Sequence, residues 1–153
     1  MRSSSGDYLA VGEQMIQRLT ERVPELRDVL PVAEIGDLED GDRLRSPMAY
    51  VAYGGDVAVT SSATGAAVKA RQVWYAVLAV RNVRPTAGAV GDSHREAGPL
   101  ISKMIGALTG WQPAAARAAM TRVTGPAPSY LSKFSLYPLQ FEVDAMVQLA
   151  TGE

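Results

Sequence analysis

Apolar residues along the chain switch between two spacings. Val11, Met15, Leu19 and Val23 step by four, with Ile16 and Leu26 widening the stripe, while Glu13, Gln17 and Glu21 share a polar face. That period predicts a helix packed along one side, from about Tyr8 towards Leu26. Asp7 is placed to cap it. Pro24 predicts that its regular part stops near Val23, because the residue before a proline is pushed out of the helical region. The spacing changes between Gln72 and the polar pair Arg81-Asn82, where the eight residues Val73 to Val80 are all apolar or aromatic. A run this short, β-branched and aromatic, without Gly or Pro, predicts a strand covered on both faces within Lys69 to Val83.

Weaker signals fill in the rest. Val29 to Ile35 reads as a short strand, followed by the acidic turn Gly36-Asp37-Leu38-Glu39-Asp40-Gly41-Asp42. Met48 to Tyr53 is a strand with Pro47 at its start, where a missing N–H does least harm. Gly54-Gly55-Asp56 then predicts a hairpin turn into Val57 to Thr60, and the small, uncharged stretch Ser61 to Ala67 a mobile loop. Arg84 to Gly91, with Pro85, Gly88 and Gly91, predicts a break. A second helix is expected from Ser93 to Thr109, with Ser93 and Glu96 as a capping box and Gly110 as the C-terminal stop. Gly98-Pro99 means that this helix either kinks or starts its regular part near Pro99. Met120 to Thr124 is a short strand and Gly125-Pro126-Ala127-Pro128 a turn. From Phe134 to Leu149, apolar Phe141, Val143, Ala145, Val147 and Leu149 alternate with Glu142, Asp144, Met146 and Gln148, a long strand interrupted near Pro138.

Helix, strands, helix, strands is the order of an α+β domain. The expectation is a mixed, mostly antiparallel sheet with two main helices packed on it. A chain of 153 residues fits a single domain, which at roughly that size buries about 68–70% of its unfolded surface. Residues 1–7 read as a flexible polar arm and 8–153 as the domain. The arm lacks the apolar core of a signal peptide, and no apolar run has the length of a membrane span.

Charge and composition remove several kinds of chemistry. With 15 basic against 16 acidic side chains, net −1, there is no basic excess of the kind that stable nucleic-acid binding requires. There are no cysteines, so disulfides, thiolate metal sites and cysteine nucleophiles are absent. His94 is the single histidine. Gly91-Asp92-Ser93 spells the start of the nucleophile block of one esterase family, but that family needs a second, downstream histidine. A small hydrolase built on Ser93 therefore lacks its base. Asp92, His94 and Glu96 cannot converge on a metal from one helix, because residues two apart point in different directions. Asp37, Glu39 and Asp40 offer hard oxygens without the spacing of a calcium loop. No catalytic, metal or cofactor residue is expected.

Taken in order, four landmarks resemble a known family: the N-terminal amphipathic helix; Pro47-Met48-Ala49-Tyr50-Val51; Gln72-Val73-Trp74-Tyr75-Ala76-Val77-Leu78-Ala79-Val80-Arg81-Asn82; and a helix ending Ala107-Leu108-Thr109-Gly110-Trp111-Gln112-Pro113. Their order and spacing are similar to those of the tail terminator proteins of long-tailed bacteriophages and prophages, over roughly residues 8–149. The resemblance implies a structural protein without cofactor. Its copies form a six-membered ring on the end of the tail tube, stop tube polymerisation and present a docking surface for head-completion (neck) proteins. Its partners would be itself, the tail tube protein and the neck protein. It implies the host cytoplasm during assembly and the head-proximal end of the tail in the virion, with DNA passing through without being bound. Another neck or tail-tube component of the same virion is the alternative. Arg81, Asn82, Trp111, Gln112 and Pro113 are the expected contact residues, although Trp111 could equally plug the core beneath the helix end.

Overall fold

The computed structural model describes residues 7–31, 45–61, 67–82, 87–131 and 133–148. In chain order its elements are α1 (Ala10–Arg22), β1 (Asp28–Pro31), β2 (Met48–Ser61), β3 (Ala67–Arg81), α2 (Ala87–Leu108), β4 (Thr121–Val123), β5 (Ser129–Tyr130) and β6 (Phe134–Gln148). The strands make one open sheet in the order β1-β2-β3-β6-β4, with β5 also on β6. β1 runs parallel to β2, and the other pairings are antiparallel. The α+β class expected from the pattern is the one observed.

Both helices pack on one face. The α1 stripe Val11, Met15, Leu19 and Val23 and the α2 residues Ala97, Leu100, Met104 and Leu108 meet Trp74, Ala76, Leu78 and Val80 of β3 and Tyr137, Leu139, Phe141 and Val143 of β6. Strand alternation sends the intervening residues to the opposite face. There Met48, Ala79 and Phe134 form a smaller cluster with Leu30 and Leu136 against it. The apolar run of β3 thus serves two clusters at once, which is why it shows no alternation.

Three local expectations are corrected. Gly54-Gly55 is not a hairpin turn: β2 continues through it, with a register shift between Tyr53 and Asp56. Gly55 has φ +100°, and a Cβ on Gly54 would lie 2.5 Å from the Tyr75 ring. The pair therefore makes a bulge at a close approach, the other use of glycine in a strand. α2 begins at Ala87 and includes Gly88 and Gly91, so Ser93 is an interior helix position and not a cap, despite the weak helix propensity of the two glycines. The helix also runs through Pro99. Gly98 and Pro99 are on its exposed side, where water can reach the carbonyl that loses its partner.

β6 is not interrupted at Pro138, which pairs in register with Val77. Phe134 and Asp144 accept hydrogen bonds on the side of β6 away from β3, so at the even positions between them, Pro138 included, the backbone points outward. The ring nitrogen thus faces the gap between β5, which pairs at Ser135 and Leu136, and β4, which pairs from Gln140. No ladder bond is lost there. Gly110, at φ +79°, ends the second helix as expected. The acidic turn 36–42, most of the stretch 61–67 and Leu149 lie outside the described residues.

Candidate assembly surfaces

The expected contact residues fall into two groups set far apart. Arg81 pairs with Phe134 at the start of β6, whereas the corner after α2 reaches β6 at Asp144, whose carbonyl accepts the Arg117 N–H at 2.8 Å. Ten residues of extended strand separate these points, roughly 33 Å at about 3.3 Å per residue.

At the first point, Asn82 is an internal clamp. Its N–H donates to the Lys133 carbonyl at 2.8 Å and its side-chain amide to the Leu131 carbonyl at 2.7 Å. Its Oδ1 accepts the hydroxyl of fully buried Ser135 at 2.9 Å. Asn82 thus fastens the β5–β6 turn to the end of β3. Arg81 beside it is exposed, its guanidinium 5.0 Å from the centre of the Phe134 ring.

At the second point, Trp111 is half-buried, Gln112 exposed and Pro113 buried. α1 holds this corner: Arg18 lies 5.3 Å over the Trp111 ring while its Nε donates to the Ala107 carbonyl, and Gln14 accepts the Ala115 N–H at 2.9 Å. Gly110 and Trp111 exchange backbone bonds with Met120, leading into β4. Trp111 is therefore partly packed in the fold and partly exposed.

Other polar groupings gave no signal in the sequence, because their members are far apart along the chain. Gln72, fully buried, donates to the Tyr8 carbonyl at 2.7 Å and accepts from the Trp74 indole at 2.9 Å. The Tyr8 hydroxyl donates to Asp56. Burial, helped by that carboxylate, pushes the Tyr8 pKa up to about 12, and burial first, then Asp56, also raises that of Tyr53. A polar residue at the edge of an apolar run was the one available hint of Gln72. On the sheet face away from the helices, Asp144 pairs with Lys69 at 3.3 Å and Arg71 at 3.4 Å, and Arg71 reaches Glu142 at 3.9 Å. Two cations and two anions balance there.

His94 is exposed, bonded at 3.1 Å to the Tyr130 hydroxyl and edge-on to Tyr130 and Tyr137. Among the described residues no three His, Asp or Glu side chains gather as metal ligands, and no helix is long and apolar enough to cross a membrane. A groove of about 540 Å³ between α2, β4 and β6 is lined by Ile101, Arg122, Pro126, Pro128, Tyr137 and Leu139, with no carboxylate or imidazole in its lining.

Among the described residues the exposed large apolar side chains are Leu9 before α1, Tyr53 and Val57 on β2, Tyr130 and Leu131 at β5, and Val147 on β6. Compared with known proteins, residues 5–151 match the family model described as "Phage tail terminator protein". No curated protein matches the chain.

Proposed function

The chain belongs to the phage tail terminator family, and from that premise we propose that it caps the head-proximal end of the tail tube as a six-membered ring. Its role is structural, in completing the phage tail, and it works as a virion component together with other tail and head-completion proteins. The ring ends the addition of tube subunits and offers the head-completion proteins their docking surface. One observation carries this reading: the family match runs from residue 5 to residue 151 and so takes in every element from α1 to β6.

Physical features support it. The net charge of −1 suits a channel that DNA traverses without being gripped. Closed rings are built from heterologous contacts, which favour aromatic and apolar anchors. The exposed part of Trp111, with exposed Gln112, and exposed Arg81 are the members of the expected contact set that meet neighbours.

The test is to add the chain to tail tube protein as it polymerises. Tubes should stop at the point of addition and carry a ring at one end, and rings in solution should have a mass of about 98 kDa, six times the 16.3 kDa chain. Tubes that grow unchecked in the presence of folded protein would overturn the reading.

A further inference from the structure

We propose that copies of this chain join through the open edges of the sheet, β2 of one subunit pairing with β6 of the next. The proposal rests on the ring reading and adds where the subunits meet.

β1 accompanies β2 only from Met48 to Val51. From Ala52 to Ser61, among the described residues, β2 pairs with β3 alone, leaving the other side of a long strand without partners. On the opposite side of the sheet, β4 covers β6 only from Gln140 to Glu142, and the Arg117 N–H takes the Asp144 carbonyl. Beyond Asp144, β6 has β3 on one side and no described strand on the other. These edges lie at the same level: Val57 pairs with Arg71, which pairs with Asp144. An open edge is a template for another strand. A fold with two such edges on opposite sides of one three-stranded ribbon satisfies both by repeating itself.

Side chains agree with that occupant. Val57 is 65% exposed on the β2 side and Val147 38% on the β6 side. Asp56 is on the β2 side, and the exposed Arg117 and Arg122 are on the side of β4 and β6. Asp56, paired with Gln72, and Arg122, paired with Phe141, share the helix face, so neighbouring copies bring acid to base there, while Val57 and Val147 lie on opposite faces of the joined sheet.

The direction of the joint follows from the topology. β2 and β6 both run antiparallel to β3, so in a ring of equivalent copies they meet in parallel, like β1 and β2 within one chain. The contact is head-to-tail and closes by rotation. Six copies giving three strands each make a sheet of about eighteen strands. At about 4.8 Å between strands and a tilt near 40°, this closes at a backbone diameter of roughly 36 Å, in the range where barrels leave a channel. The helices lie outside, and the lumen is lined by the balanced face of Lys69, Arg71, Glu142 and Asp144.

The wild-type chain has no cysteine, so introduced thiols report cleanly. Val57 and Met146 alternate onto the same sheet face, one on each edge strand. The double variant V57C/M146C, oxidised with polymerising tail tube protein, should give a ladder of cross-linked chains up to six on a non-reducing gel, and neither single variant should. Dimers from V57C alone would overturn the proposal in favour of a symmetric β2–β2 contact. V57K, at an exposed position, should melt like wild type yet lose self-association and tube capping. Tube capping by V57K at the wild-type level would overturn the edge joint while the terminator reading stood. Failure of the wild-type chain to cap tubes would remove the terminator reading instead.

Discussion

Gly12 on α1 packs so closely on Trp74 of β3 that a Cβ there would lie 2.6 Å from Cζ3 and 2.8 Å from Cη2 of the indole. The indole cannot retreat easily, because its N–H is held by buried Gln72, which in turn holds the Tyr8 carbonyl. Alanine is the better helix former by about 1 kcal/mol, so propensity alone predicts that Gly12→Ala stabilises. Overpacking costs typically 1–3 kcal/mol and should win. We expect Gly12→Ala to lower stability by up to about 2 kcal/mol in urea unfolding, with an unchanged m-value. A stabilised variant would mean that the helix shifts freely over the sheet.

Asn82 makes a second, independent prediction. Asn82→Ala removes the bond to the Leu131 carbonyl and strands the hydroxyl of buried Ser135. Hydrogen bonds contribute about 1 kcal/mol each, and a buried unsatisfied group costs about 1–3. A loss of about 2–3 kcal/mol in chemical unfolding is expected, with faster amide exchange in the β5–β6 turn. A change below about 0.5 kcal/mol, the range of ordinary surface substitutions, would mean that the clamp carries nothing.

These two residues illustrate what a sequence can and cannot disclose. The stripe of Val11, Met15, Leu19 and Val23, the run Val73 to Val80 and the stop at Gly110 were legible, because each reflects a local period or a backbone need. Gly54-Gly55 was legible as a glycine site but not as a bulge: turn and bulge ask the same residues for the same freedom, and the register of β2 against β3 decides between them. Pro138 looked like an interruption because its tolerance depends on which side of β6 lacks a neighbour. β5, two residues long, has no periodicity to detect. Asn82 was singled out as the polar end of a buried strand, and its partners 49 and 53 residues away were invisible. The contact between Gly12 and Trp74 had no signal at all.

Alkaline pH offers a third test. The Tyr8 hydroxyl is raised from 10.0 to about 12 by burial and by its bond to Asp56. The folded state thus holds this proton more tightly than the unfolded chain does. The associated stability is complete below pH 10 and is lost as pH climbs from 10 through 12. Tyr50, Tyr53 and Tyr137 are also raised, burial being the largest cause in each, and act in the same direction. Tyr8→Phe should therefore flatten, without abolishing, the fall in urea midpoint across that window. An unchanged slope would show that Tyr8 titrates alike in both states.

Trp111 decides how the corner after α2 is used. A fully buried tryptophan cut to alanine costs about 3–5 kcal/mol, and this one is half-buried, so Trp111→Ala should lose about 2–3 kcal/mol and stay folded at low temperature. Arg18 complicates a simple reading, since it both covers the ring and bonds the Ala107 carbonyl; Arg18→Ala removes both. A double-mutant cycle separates them, and the coupling should be about 0.5–1 kcal/mol, as for a cation over an exposed ring. Tube capping by folded Trp111→Ala is then the informative measurement. Retained capping would make Trp111 a packing residue that seats Gln112 and Pro113 against α1. Lost capping, with the fold and the Gln14–Ala115 bond intact by amide exchange, would identify its exposed part as a surface that meets a neighbour.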